Sequence, residues 1–289
     1  MYKPKIVFSG FEYIYKNNIE KLIEASNLYG IDNYELWFPH NVKFEALPQI
    51  ESKLKNEGKK VVCVTTWSHL YSENVKDEQE LVSRSLHVAK RLGAERINTY
   101  FGFNNFQNSL RAIETYAKNI APILKIAEKL DIIVCLENEF DGHGEDPYFS
   151  DITRSADLIL NLMNKIDSPY FKLTFDPANA YIAGEEPYPY FYFLLKEYID
   201  YIHLKDVRKY LHKIDQNQTF YSDHEHNYIF TPLGEGAINY FSIFKSLIKD
   251  NYQGYFTLEP HINNEGLLMN AYDVSKKFIN DCFCFLSKK

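Results

Sequence analysis

VCLENEF, residues 134–140, is an apolar run that stops in carboxylates. Read as a β-strand, it puts Val134 and Leu136 on one face and Cys135, Glu137 and Glu139 on the other, because strand side chains alternate. A carboxylate at the end of a buried strand, with no cation nearby in sequence, is costly unless something pairs with it. The design recurs three times. KLTFDPAN (172–179) opposes Leu173 and Phe175 to Thr174 and Asp176. DYIHLKD (200–206) opposes Ile202 and Leu204 to Tyr201, His203 and Lys205, and YFTLEPH (255–261) opposes Phe256 and Leu258 to Tyr255, Thr257 and Glu259. Each of the four strands therefore delivers one metal-competent group at its C-terminal end.

Outward from these segments, strand and helix signals alternate along the chain. Strands are expected over 5–9, 34–38, 60–66, 96–101, 132–137, 171–176, 201–205 and 254–259. Helical spacing is expected over 17–29, 47–57, 77–92, 110–130, from Ser150 or Asp151 to Ile166, over 178–183, 190–198, 238–249 and 268–285. Pro122, inside the fourth helix, predicts a kink or break there. Residues 206–236 carry no clear period and read as one long loop. Strands that alternate with helices imply a parallel sheet. Eight such units in 289 residues fit a closed (β/α)8 TIM barrel, an α/β fold in one domain spanning 1–289. An open doubly wound sheet would carry a Gly-rich phosphate turn after the first strand, and SGFEYIY (9–15) has none.

Composition narrows the function. With 45% hydrophobic residues, 23 tyrosines and 21 phenylalanines, the chain can fill a large core. A net charge of −7 argues against a nucleic-acid partner, which calls for a basic face. Cys63, Cys135, Cys282 and Cys284 form no CxxC pair and no disulfide framework, so buried free thiols in a reducing compartment are expected. The start, MYKPKIVFSG, has no basic region leading into a long apolar run, and no 18-residue apolar span follows. A cytoplasmic location without membrane association is the expectation; a homo-oligomer is compatible with the sequence.

Barrel active sites lie at the C-terminal ends of the strands. Glu137, Asp176, His203 and Glu259 all fall there and make a hard, oxygen-rich ligand set that suits Mn²⁺, Mg²⁺ or Co²⁺, with Zn²⁺ also compatible. Four protein ligands on a six-coordinate ion leave two positions for adjacent substrate oxygens. An ion so placed acidifies the C–H beside a carbonyl, and a neighbouring carboxylate can take that proton.

The chain resembles the xylose isomerase-like TIM barrels, the sugar phosphate isomerase/epimerase superfamily. The resemblance rests on LEN (136–138), FDPAN (175–179), HLKD (203–206), LGEG (233–236) before a helix, and LEPH (258–261), in this order on successive strands. It implies one divalent ion, Mn²⁺ by preference, held by Glu137, Asp176, His203 and Glu259. It also implies that Glu137 and Glu259 act as the acid/base pair of an isomerase or epimerase, passing a proton through an enediolate of a sugar or related hydroxyketone. Dehydratase members of the family carry the same enolisation on to loss of a β-hydroxyl, which makes a lyase on a keto-polyol or 3-keto-sugar the alternative. A binding barrel without turnover is a third reading, against which stand four competent ligand positions. Many epimerases have histidine where this chain has Asn179, and the full ligand set of the endonuclease IV relatives is absent.

Other residues follow by position. Lys205, on the barrel side of its strand, is expected to hold a substrate oxygen or neutralise the enediolate, a role weighed evenly against a salt bridge to Asp206 or Glu139. Glu139 shares the face of Glu137 and is the alternative ligand. Asp206 is expected to orient neighbours or cap the following loop. Asn179, His69, Trp37 and His261 are candidates for substrate contact, and Phe101 for an apolar wall. His143, on the turn DGHGED (141–146), is a lesser candidate to enter the site, and His212, His224 and His226 read as loop polarity.

Overall fold

In the computed structural model the described residues are 3–16, 19–71, 75–102, 104–105, 108–140, 149–211, 220–222 and 225–288. Eight parallel strands close into a barrel: β1 (Lys5–Ser9), β2 (Asn33–Trp37), β3 (Lys60–Thr65), β4 (Arg96–Thr99), β5 (Ile133–Glu137), β6 (Phe171–Phe175), β7 (Ile199–Leu204) and β8 (Tyr255–Leu258). Neighbours pair in chain order, and β8 closes on β1 through Lys5↔Tyr255 to Phe8↔Leu258. This is the (β/α)8 barrel that the alternation predicted.

The outer ring comprises α1 (Ile19–Tyr29), α2 (Leu47–Asn56), α3 (Val75–Leu92), α4 (Ser109–Leu130), α5 (Ala156–Ile166), α6 (Pro177–Ile182), α7 (Tyr192–Leu195), α8 (Tyr240–Lys249) and α9 (Glu265–Leu286). Helical spacing places the apolar stripes inward. In α4, Ala112, Ile113, Tyr116, Ile120, Ile123 and Ala127 are buried against the sheet. That helix starts at Asn108, whose side chain accepts from the Arg111 amide, and stops at Asp131 in the left-handed region.

Three expectations are corrected. α4 runs through Pro122 without a break; Pro122 is on the exposed face, where water can satisfy the carbonyl that loses its donor. Asp151 caps a single 3₁₀ turn, Ile152–Arg154, and the α-helix starts only at Ala156. The stretch expected to be an irregular loop holds a three-stranded antiparallel sheet, with Asp206–Lys209 paired to Asn227–Thr231 and that strand to Phe220–Ser222. His143, His212 and His224 lie outside the described residues.

The barrel interior is graded. Its lower layer is apolar, with Val7, Val62, Cys63, Cys135, Tyr201 and Tyr255 in one cluster. Arg96 enters that end, 5% exposed, bonds Asp200 at 2.8 Å and lies near the rings of Tyr201 and Tyr255. Above it, Glu35, Thr65, Asn98, Thr174, His203 and Thr257 make a buried polar layer leading to the C-terminal rim. Among the described residues no helix is long and apolar enough to cross a membrane.

Candidate metal centre

Glu137 is the last residue of β5. Its Oε2 accepts from Asn98 Nδ2 at 2.8 Å, and its Oε1 accepts from Asn179 Nδ2 at 3.2 Å and lies 3.1 Å from His203 Nδ1. Asp176 follows β6 and caps α6, its Oδ1 accepting from the amides of Ala178 at 2.8 Å and Asn179 at 3.0 Å. Pro177 favours this conformation, since the residue before proline is kept extended. Glu259 follows β8, its Oε2 3.4 Å from His203 Nδ1 and its Oε1 accepting from Ser9 Oγ at 3.3 Å. One donor atom from each of Glu137, Asp176, His203 and Glu259 lies within 4.8 Å of all the others.

These atoms fit a divalent ion. Ligand bonds of about 2.0–2.6 Å allow opposite donors to stand roughly 4–5 Å apart. Asp176 Oδ2 is buried without a hydrogen bond; its neighbour is the Lys205 ammonium at 3.0 Å. Charge points the same way. Burial pushes His203 down, but Glu137, Glu35 and Glu259 outweigh it and hold the imidazole well above its ordinary value. Burial pushes Glu259 up, yet His203, His261 and Lys205 hold it well below the usual carboxylate range. Asp176 goes up, because burial outweighs Lys205. Three acids, with Glu35 behind His203, thus crowd around the Lys205 ammonium in one enclosed cluster.

Lys205 is 2% exposed and bonds Asn179 Oδ1 at 3.0 Å, with Glu259 Oε2 at 3.5 Å. Its ionic partners are therefore Asp176 and Glu259, not Asp206 or Glu139 as the sequence suggested. Burial pushes its pKa down, and Asp176 with the glutamates pushes it further up. Asp206 binds the following segment instead, accepting from the amides of Val207, Gly234, Gly236 and Ile238.

A cavity of about 240 Å³ opens onto the quartet. Trp37, His69, His261 and Lys205 line it, as do Phe11, Trp67, Tyr100, Glu139, Phe140 and Asp151. Trp37 is buried, with its indole N–H unpartnered. His69 lies against Gly102, where a Cβ would come within 2.8 Å of the His69 backbone. His261 adopts a positive φ of 55°, stacks on Phe11 at 4.2 Å and brings Nε2 within 3.2 Å of Glu259 Oε2. Its amide donates to Glu12 at 3.0 Å, whose carboxyl is raised to about 8 by burial and by Glu259.

Two nominated residues lie elsewhere. Asn179 is beneath the cavity, its amide engaged by Glu137, Asn138 and Lys205. Phe101 is in the core against Tyr116, and Tyr100 takes the wall position expected for it. Glu139 lines the cavity outside the quartet. The sequence reading missed Glu35 and Asn98. Glu35 follows the rule that found Glu137, a carboxylate inside an apolar strand, here YELWF at 34–38.

Residues 23–278 match the family described as xylose isomerase-like TIM barrel, and the chain belongs to that family. An inosose dehydratase from Bacillus thuringiensis (strain Al Hakam) is 32% identical over 123 residues, 41% of this chain and 39% of that protein. The chain thus aligns with less than half the length of such relatives. A D-tagatose 3-epimerase-like protein superposes with a TM-score of 0.75 at 18% identity, covering 98% of each chain. The IolI protein with a bound zinc atom gives 0.72 at 16% identity, covering 96% of this chain and 97% of its own. The structural neighbours share the fold; epimerases are among their names, and inosose dehydratases among those of the sequence relatives.

Proposed function

We propose that this protein is a divalent-metal-dependent isomerase or epimerase of an uncharged sugar or keto-polyol. The observation that carries the reading is the convergence of Glu137, Asp176, His203 and Glu259 from four successive strands on one buried point beneath a cavity. Bound there, Mn²⁺ (or Mg²⁺, Co²⁺ or Zn²⁺) would polarise a substrate carbonyl and acidify the adjacent C–H. One of Glu137 and Glu259 takes that proton and the other returns it to the opposite face of the enediolate. Asn98 and Asn179 orient Glu137; Ser9 and Lys205 orient Glu259. Lys205 supplies positive charge beside the developing enediolate oxygen. Trp37, His69 and His261 contact substrate at the cavity wall, and Asn179 acts on it through Lys205. Lys205 is the one Lys or Arg among the described lining residues, alongside Glu137, Glu139, Asp151 and Glu259, which disfavours a phosphorylated substrate.

A second reading, loss of a β-hydroxyl as water, is supported by the inosose dehydratase relatives. Incubation with ketoses and keto-polyols plus Mn²⁺ separates the two, because only the lyase gives a product lighter by one water. Under either reading, Glu137→Gln and Glu259→Gln are expected to abolish exchange of the substrate α-proton with solvent deuterium. His203→Ala is expected to lose the ion by elemental analysis. Exchange at the parent rate in both glutamine variants, or full metal occupancy without His203, would reject the assignment.

A further inference from the structure

Glu35 is no member of the quartet, yet it is wholly buried in β2, inside the barrel. Three donors converge on its carboxylate. Thr65 Oγ1 donates to Oε1 at 2.7 Å; Tyr201 OH at 2.8 Å and His203 Nε2 at 2.9 Å reach Oε2. Thr257 Oγ1 in turn donates to Tyr201 OH at 2.5 Å, so the chain of bonds crosses the interior from β8 and β7 to β2 and β3.

Thr65 and Tyr201 already donate to this carboxylate, and for Glu35 to accept from His203 as well the ring must carry its proton on Nε2. For His203 that choice has a consequence on the other side of the ring. A proton held on Nε2 leaves Nδ1 as the nitrogen able to offer a lone pair. Nδ1 is the atom that faces Glu137 Oε1 at 3.1 Å and Glu259 Oε2 at 3.4 Å. The other tautomer would aim a bare nitrogen at the Glu35 carboxylate, lone pair against lone pair, and a ring turned by 180° would put a C–H there in place of Nε2. The imidazole is thus held from behind in the one state that offers a ligand to the quartet.

We propose that Glu35 is the positioning residue for His203, fixing its tautomer and ring orientation and strengthening its Nδ1 as a metal ligand. The proposal rests on the reading above that the quartet holds an ion. A carboxylate behind a ligating imidazole makes that imidazole more basic and better aimed, and losing one costs about tenfold to a hundredfold in metal affinity.

Mn²⁺ affinity, measured by chelator competition on the parent, Glu35→Gln and Thr65→Val, tests this. Glu35→Gln keeps the shape but replaces one acceptor oxygen with an N–H donor. Its Kd is expected to weaken about tenfold to a hundredfold, while Thr65→Val, which removes a donor to Glu35 and leaves the His203 contact, stays within about threefold of the parent. Parent-like affinity in Glu35→Gln, or equal weakening in Thr65→Val, would overturn the proposal, the second because it signals general loosening. The parent itself provides a test needing no variant. Loaded with cadmium-113 and labelled with nitrogen-15 histidine, it should show metal coupling to His203 Nδ1 and a proton on Nε2; coupling to Nε2 overturns the assignment. A parent that binds neither Mn²⁺ nor Cd²⁺ would instead fail the quartet reading itself, and Glu35's role with it.

Discussion

Lys205 and a divalent ion would compete for the same oxygens. The ammonium stands 3.0 Å from Asp176 Oδ2 and 3.5 Å from Glu259 Oε2, and both atoms belong to residues of the quartet. Without an ion, Lys205 is the fixed counter-charge that keeps these buried acids tolerable. Lys205→Met removes it and leaves uncompensated carboxylates, a change that costs about 3 kcal/mol or more. The ion then becomes the main remaining cation. The gain in denaturation midpoint on adding Mn²⁺ is therefore expected to be larger in Lys205→Met than in the parent. Equal gains would show that the lysine and the ion do not share these oxygens. At this scale the sequence is informative wherever a polar group interrupts an apolar strand. Such interruptions nominate Glu137, Asp176, His203 and Glu259. What such a pattern cannot supply is distance across the barrel, so the bonds of Lys205 to Asp176 and Glu259 are not legible in it.

Among the elements, the strand–helix alternation is legible because each strand is short, largely buried and bounded by a helix with its own period. The antiparallel sheet over 206–231 is not. Its strands have three to five residues, mix polar and apolar positions, and are defined by pairing with each other and not by a pattern of burial. HLKD and LGEG do mark its two ends. Asp206 accepts four amides from Val207 and from the segment 234–238, which ties the outgoing chain to the returning one. Gly234 takes φ +87° under the ring of Phe278, and a Cβ on Gly236 would come within 2.0 Å of Asp206 Oδ1 and 2.8 Å of the Val207 amide. The clasp therefore needs glycine at 236 for space. Gly236→Ala is expected to lower stability by roughly 2 kcal/mol, since a new methyl in a filled site displaces its neighbours. Urea unfolding checks this, and an unchanged midpoint would show that the clasp yields without cost. Phe230, in the same sheet, lies 5.4 Å from the His261 ring, so the clasp also supports one wall of the cavity.

For the molecule as a whole, the barrel is closed at one end by Arg96, Asp200 and their tyrosines and left acid-rich at the other. The rim acids come from β5 and from the residues after β6 and β8, so whatever pairs with all of them ties several strands together. An ion that binds all of them acts on the closure of the barrel and not on one loop. Binding to the native state alone stabilises it by RT ln(1 + [L]/Kd), about 2.7 kcal/mol at a free concentration a hundredfold above Kd. For a chain of this size that is a rise of roughly 5 °C in melting temperature. Treatment with a chelator followed by Mn²⁺ should therefore lower and then restore Tm by that amount. Because the ligands span β5 to β8, near-ultraviolet dichroism of the aromatic core and far-ultraviolet dichroism of the helices should shift together. A shift seen by one probe and not the other would place the ion on a locally unfolding segment, and no shift at all would remove it from the barrel rim.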